Sequence, residues 1–553
     1  MSVILFYLNL LLITAIFLMV YYILINKRAK IFVGKYYLVF ILIIILSLIY
    51  KLPFDFTFFQ GLEYEDSYLA NSVSRYLMYN RNNTEPFYLA TTCGIGALNN
   101  CIANSTHSGN LIGLSTIVWS INELLGYNIK NIAIVNLVFS IISTVSIFLI
   151  SYKINKSYLF GLIASIVFIT TPVLNSFHTS SLFETSSSSL IVISLLVFIL
   201  YFENRNSNKN SFVLFLIMIT INLVSIHFKR ENIIIISFPF IMLFIRLLES
   251  KKSLWHGLKD LLPYLMFLIG IGLYYVYILD IPSSLEVERD YAIGNSFQLK
   301  FFLPLFTMFI KGFSTFSWFY FFGLFVIVGI IFAFSDIKKN PLLLYPLIIF
   351  IVFILINSIH HRSYYFVRSG AVSAFDSLRH INMLSPFFAI ISGYGIYKLI
   401  DFVKSLNIIR GKLVLIIYPV VISLFIHLFI LTYITRKDLI EIEQSNRIIP
   451  ISELLKFVDQ NNDVVITDQS ILLHNYCQEN LTIIEFTALG NHINEDEIRT
   501  LLKKSDIYFL WKEYFNESIF RNRYKNSIET LEKFNLSEVS EGDGFEVLKL
   551  NCN

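Results

Sequence analysis

Glu63-Tyr64-Glu65-Asp66-Ser67-Tyr68-Leu69-Ala70 stands just past Leu52-Pro53-Phe54-Asp55-Phe56, where a long apolar run ends. Adjacent carboxylates placed beyond a bilayer edge have few structural uses, because they tolerate neither hydrocarbon nor each other without partners. The plain structural reading is a helix start, with Glu65 and Asp66 at the positive end of a helix running on through Val73, Tyr76 and Leu77. The sharper reading is a general base. The rest of the chain decides between them.

Of 553 residues, 56% are hydrophobic and only 15% charged, and the mean hydropathy is +0.65. A water-soluble chain of this length does not have such a composition, so the sequence reads as a polytopic α-helical membrane protein. A net charge of +4, with no basic run interleaved with aromatics, argues against a nucleic-acid partner. Apolar stretches long enough for about 30 Å of hydrocarbon recur at 3-25, 36-53, 131-151, 158-175, 187-202, 211-228, 232-248, 260-280, 315-335, 341-359, 381-400 and 413-434, which predicts a bundle of about twelve transmembrane helices. The first is too long and uniform for a cleaved signal peptide and reads as a retained helix. The shorter, more amphipathic segment 111-126 is expected at the interface.

Lys27, Arg28, Lys30 and Lys35, then Lys153 and Lys156, Arg205 and Lys209, Lys251, Lys252 and Lys259, Lys338 and Lys339, and Lys404, Arg410 and Lys412 fall in alternate connections. The positive-inside rule makes that side cytoplasmic. The loop 54-130 and everything after the last span then face outward, dividing the chain into a transmembrane domain, 1-434, and an extracytoplasmic domain, 435-553. In the latter, short apolar runs such as Val464-Val465-Ile466-Thr467 and Ile507-Tyr508-Phe509-Leu510 alternate with amphipathic stretches at 451-459 and 494-504, which predicts a small α/β domain. All four cysteines, Cys93, Cys101, Cys477 and Cys552, fall on the outer side. Cys93 and Cys101 would close a short disulfide loop in an oxidising compartment, although connectivity is not fixed by sequence. Sequons at Asn82, Asn104, Asn480, Asn516 and Asn535 are external as well.

The outer membrane edge also collects the unusual polar residues. His178 and Glu184 lie in Asn175-Ser176-Phe177-His178-Thr179-Ser180-Ser181-Leu182-Phe183-Glu184, and Lys229-Arg230-Glu231-Asn232 forms the next outer turn. His360, His361, Arg362 and Arg368 follow another span, and Arg379-His380 open a late one. Singly, each cation reads as snorkelling to headgroups, His178 as a solvated turn residue and Glu184 as a helix cap. Together they make an outer site able to hold an anion beside a base.

These marks resemble the GT-C superfamily of membrane glycosyltransferases, which includes protein O-mannosyltransferases and the aminoarabinose transferases of lipid A. Tyr64-Glu65-Asp66-Ser67-Tyr68 is similar to that family's acidic pair in the first large external loop. The stretch from Leu111-Ile112-Gly113 to Glu123-Leu124-Leu125-Gly126-Tyr127 resembles its interfacial helix. Thr171-Pro172 followed by Ser181-Leu182-Phe183-Glu184 resembles its second acidic loop, His227-Phe228-Lys229-Arg230-Glu231-Asn232 its basic turn, and Leu378-Arg379-His380-Ile381 with Ser385-Pro386 a late Arg-containing element. The chain departs from the pattern in the order Glu-Asp, in the closer Tyr68 and in an additional leading helix. It has no Trp-Trp-Asp-Tyr-Gly motif of the oligosaccharyltransferase catalytic subunit, so transfer of one sugar is expected rather than of an oligosaccharide.

The resemblance implies an inverting displacement on a polyprenyl-phosphate sugar (dolichyl or undecaprenyl) at the outer membrane face, with a glycan, lipid or protein hydroxyl as acceptor. Glu65 or Asp66 would accept the hydroxyl proton, and Glu184 would orient hydroxyls or hold an Arg. Arg379, with His380, Arg230 and Lys229, would stabilise the leaving phosphate, and Tyr64, Tyr68, His178, His361 and Arg362 complete the expected substrate site. No cofactor is required on this reading; a divalent metal on Asp66 and Glu184 is the alternative. The competing function is a transporter of lipid-linked glycan or polysaccharide. It would need polar groups across the bilayer midplane, where Asn136 and Asn222 are among the few expected inside spans.

Overall fold

The computed structural model describes residues 27–52, 108–178, 183–204, 208–228, 237–249, 302–314, 319–358, 374–405, 413–443, 448–460, 462–468, 481–486, 495–512 and 525–551, with isolated positions between them. The chain divides into two compact units. One contains Met1–Leu5, Gln60–Ile132 and Asp438–Asn553, the other Phe6–Phe59 and Ala133–Lys437.

The larger unit is helical. Its described helices are α1 (Lys27–Lys51), α3 (Asn131–Asn155), α4 (Tyr158–Thr170), α5 (Pro172–His178), α6 (Phe183–Asn204), α7 (Asn208–Ile226), α8 (Ser237–Glu249), α9 (Phe302–Ser314), α10 (Phe322–Asp336), α11 (Leu344–Ser358), α12 (Ala374–Ser405) and α13 (Leu413–Glu443); α2 (Ser108–Leu125) belongs to the other unit. Among the described residues, Asn131–Asn155, Glu184–Asn204 and Asn382–Phe402 are long and apolar enough to cross a membrane, and six shorter apolar helices accompany them. The expected spans 3-25 and 260-280 lie largely outside the described residues.

Two differences from the expected spans have clear causes. The stretch 158-175 is broken after Thr170 because Pro172 disfavours helical backbone at Thr171, which is extended at φ −69°, ψ 116°. Pro172 then opens α5, where a missing N–H costs nothing. The helix α9 was not anticipated as an element, because Pro304 and Lys311 interrupt its apolar window.

The hub of the helical unit is α12, packed on α4, α6, α10 and α11. Small residues allow it to approach closely. A Cβ on Gly329 of α10 would lie 2.0 Å from the Ile391 carbonyl oxygen, one on Gly393 2.7 Å from Ala164 Cα, and one on Gly395 2.4 Å from the Phe325 carbonyl oxygen. The Ser392 hydroxyl donates to the Phe322 carbonyl at 3.0 Å. At the end of α10, Asp336 accepts from the Tyr394 hydroxyl at 2.8 Å and pairs with Lys398 at 2.6 Å, closing one end of the α10–α12 contact.

In the other unit, α2 ends where Gly126 adopts φ +87° and donates to the Asn122 carbonyl, a left-handed C-terminal cap that only glycine makes without strain. The Asn122 side chain donates to Ser74 at 2.7 Å and accepts from Asn131. Leu114 and Val118 are buried, whereas Leu124 and Leu125 are exposed. The C-terminal part has α14 (Ile449–Phe457), β1 (Val464–Thr467), β2 (Thr482–Glu485), α15 (Glu495–Leu502), β3 (Ile507–Lys512), α16 (Lys525–Leu531), β4 (Asn535–Gly542) and β5 (Phe545–Asn551). The strands form one sheet in the order β2-β1-β3-β5-β4. The first three are parallel, and β5 runs antiparallel to β3 and β4. Val464, Ile466, Ile507 and Phe509 pack with Ile498 and Leu501 of α15 and Ile528 and Leu531 of α16. The expected small sheet is present, with β1 and β3 built on the two apolar runs read from sequence.

Candidate active site

The residues that leave the apolar pattern meet at the end of the helical unit where α1, α5 and α13 finish and α6 and α12 begin. Lys51 is the last residue of α1 and is fully buried. Its ammonium donates to the Ser140 hydroxyl of α3 and lies 2.7 Å from His178 Nδ1, the last residue of α5. With Lys51 as the ammonium, which only donates, Nδ1 accepts and the imidazole proton sits on Nε2, which faces the Ser385 hydroxyl of α12 at 3.4 Å. The Phe168 ring lies under both groups, 4.8 Å from the Lys51 nitrogen and 4.4 Å from the His178 ring centre. Thus Lys51 is held by hydroxyl, imidazole and ring, with no carboxylate within ion-pair distance among the described residues.

Beside this group begins α6, with Glu184 in its first turn and fully buried. The positive end of a helix favours a carboxylate there. Thr185 accepts from the Asn382 side chain of α12 at 3.0 Å, and both are buried. That bond pins the start of α6 to α12 three residues after Arg379 and two after His380. The backbones of Glu184, Arg379 and His380 therefore come to the same end of the bundle. Ser187 donates to Asn232, whose amide donates to the Ser225 carbonyl at 2.7 Å and hydroxyl at 2.8 Å. Both neighbours of the basic turn, Phe228 and Asn232, are thereby buried.

Not all of the expected site is described. Glu65, Asp66, Tyr64, Tyr68, Lys229, Arg230, His361, Arg362, Cys93 and Cys101 lie outside the described residues, as do the side chains of Arg379 and His380. His178 differs from its expectation as a solvated turn residue. It is buried because α5 continues the chain as helix past Pro172 and sets its ring between Lys51 and Ser385.

Sequence reasoning passed over Lys51 and Arg436. The signal for Lys51 was present: a cation at the end of an apolar run on the side opposite the other loop lysines. Arg436, on α13, is also buried, and its guanidinium donates to the carbonyls of Tyr50 at 3.4 Å and Lys51 at 3.3 Å. The interior holds more hydroxyls than the apolar runs suggest, including Ser140, Ser143, Thr144, Ser165 and Ser186 to Ser189. Ser143 bonds Ser189, and Ser165 the Thr144 carbonyl, so these groups join helices to one another.

No protein-family model matches the sequence, and comparison with curated proteins gives no match. Solved structures do match in fold. ArnT from Cupriavidus metallidurans bound to undecaprenyl phosphate aligns with a TM-score of 0.57 at 11% identity, covering 94% of this chain and 98% of that one. Its apo form gives 0.52 at 12% identity over 95% and 98%. An Archaeoglobus fulgidus oligosaccharyltransferase tethered to an acceptor peptide with an NVT sequon gives 0.53 at 11% identity, over 93% of this chain and 74% of that one. Both are glycosyltransferases of the GT-C superfamily. The chain thus shares, over nearly its whole length, the fold of the GT-C enzymes that its sequence marks resemble.

Proposed function

We propose that this protein is an inverting glycosyltransferase that moves one sugar from a polyprenyl-phosphate donor to an acceptor hydroxyl at the extracytoplasmic membrane face. The observation that carries the reading is the match over 94% of this chain and 98% of an ArnT chain bound to undecaprenyl phosphate. It is supported by Glu184, His178 and Lys51 and by the backbone of Arg379 at one end of the bundle.

On this reading Glu65 or Asp66 takes the acceptor proton as the new bond forms, since a neutral hydroxyl is a weak nucleophile. The repulsion between neighbouring carboxylates raises the proton affinity of one, which favours that role. Charge develops on the lipid phosphate as it leaves. Arg379 and His380, with Arg230, Lys229, His361 and Arg362, supply the opposing charge, a guanidinium engaging phosphate through two bonds. Glu184 and His178 orient sugar or acceptor hydroxyls, and Tyr64 and Tyr68 line the sugar. These cations make a divalent metal dispensable. On this reading the loop 54-130 and the domain 435-553 both face the extracytoplasmic side.

The test uses purified full-length protein in lipid nanodiscs and proteoliposomes. A panel of polyprenyl-phosphate-linked hexoses and pentoses is offered with an extract of glycan, lipid and protein acceptors, with and without EDTA, beside an assay of lipid flipping. The proposal expects EDTA-insensitive release of polyprenyl phosphate with sugar on an acceptor and no flipping. Flipping without sugar transfer would establish the transporter instead.

A further inference from the structure

The end of α1 is held by α13 in two directions. The Tyr50 ring stands edge-on to Phe425 and Phe429, at 6.4 and 5.5 Å between centres, and its hydroxyl donates to the Phe425 carbonyl at 2.8 Å. A helical side chain leans toward its own N-terminus, which is why Tyr50 reaches an earlier turn of a helix running alongside. From further along α13, Arg436 reaches back to the Tyr50 and Lys51 carbonyls. The Asn175 amide adds a third donor, to the Tyr50 carbonyl at 2.7 Å.

The last carbonyls of a helix have no partner within it and carry its negative end, so a buried guanidinium is well matched to them. The place of this clasp in the chain is what gives it meaning. Just past Lys51 the chain leaves the helical unit after Phe59, and just past Arg436 it leaves again after Lys437. The two stretches that follow, Gln60–Ile132 with Glu65 and Asp66, and Asp438–Asn553, belong to one compact unit. Two of the chain's exits from the helical unit are therefore tied together at their roots. Lys51 holds the same helix end to α3, α4 and α5 through Ser140, the Phe168 ring and His178.

We propose that Arg436 is a positioning residue for sugar transfer: it fixes the root of the segment that carries Glu65 and Asp66 to the end of α13, so that the candidate base is held in register with the helical unit. This rests on the glycosyltransferase reading for its chemistry, while the clasp between α1 and α13 stands on the geometry alone.

The experiment compares wild type, Arg436→Gln, Arg436→Lys and Tyr50→Phe as full-length protein in nanodiscs. Hydrogen exchange is followed in peptides covering the end of α1, the end of α13 and α4, beside steady-state transfer from a polyprenyl-phosphate hexose. In Arg436→Gln, exchange is expected to rise at least tenfold at the ends of both α1 and α13 and to stay unchanged in α4. The kcat is expected to fall at least tenfold with KM for the donor within twofold. Arg436→Lys should recover at least half of both effects, and Tyr50→Phe should shift both the same way by a smaller factor. Faster exchange confined to α13, or an unaltered kcat with both ends loosened, would overturn the proposal. If the wild type transfers no sugar, the exchange arm still decides the clasp, and it is the transferase reading that falls.

Discussion

Lys51 Nζ lies 2.7 Å from His178 Nδ1, so the C-terminal ends of α1 and α5 are joined by a buried amine with no carboxylate within ion-pair distance among the described residues. Removing such a charge need not destabilise, because desolvation opposes every interaction it makes. Lys51→Met, which keeps the volume over Phe168, is expected to leave thermal unfolding of the purified protein within about 1 kcal/mol of wild type. Lys51→Ala removes the same bonds to Ser140 and His178 but also leaves a cavity, and should cost about 2–5 kcal/mol. Thermal unfolding monitored by intrinsic fluorescence separates the two.

The glycine contacts on α12 lead to a contrast that the same instrument reads. Gly329→Ala puts a methyl 2.0 Å from a backbone oxygen, and backbone cannot step aside cheaply. It should destabilise by about 1–3 kcal/mol, the usual range for overpacking. Gly270 has nothing within 4 Å of its hypothetical Cβ. Gly270→Ala is therefore expected to be neutral or to stabilise by up to about 1 kcal/mol through helix propensity.

The bond from Asn382 to Thr185 holds the first turn of α6 to α12 about two turns into that helix. Asn382→Leu and Thr185→Val should each lower transfer more than stability, because they free the ends that carry Arg379 and Glu184 while the glycine-lined contact deeper in α12 persists. A double-mutant cycle on unfolding should give a coupling of about 0.5–1.5 kcal/mol. Additive effects would mean that the contact contributes nothing.

Much of this architecture is legible in the sequence because bilayer and sheet impose strong periodicities. Val464-Val465-Ile466-Thr467 becomes β1, and the amphipathic stretch 494-504 becomes α15. Glu184 and the Asn175 to His178 stretch announced polar groups at one bundle end. What was not legible depends on groups brought together over long separations. Lys51 and Arg436 each look like an ordinary cation at a helix end, and only packing shows that one is buried against His178 and the other on the carbonyls of α1. The split of 302–336 into α9 and α10 was hidden by Pro304 and Lys311, which lower apolarity without preventing helix.

If Arg379 engages the leaving phosphate through a planar fork, lysine does not replace it. Arg379→Lys should lower kcat/KM for the lipid donor by at least tenfold, while Arg362→Lys lowers it by less. Equal effects in the same transfer assay would remove the phosphate role of Arg379.

The central claim is that a carboxylate in the loop after α1 takes the proton from the acceptor. It is tested most directly by Glu65→Gln and Asp66→Asn, each assayed for sugar transfer from a polyprenyl-phosphate donor at wild-type expression. At least one of the two should lose about a hundredfold or more in kcat, in keeping with loss of a general base. Full activity in both would return the pair to the start of a helix and contradict the account.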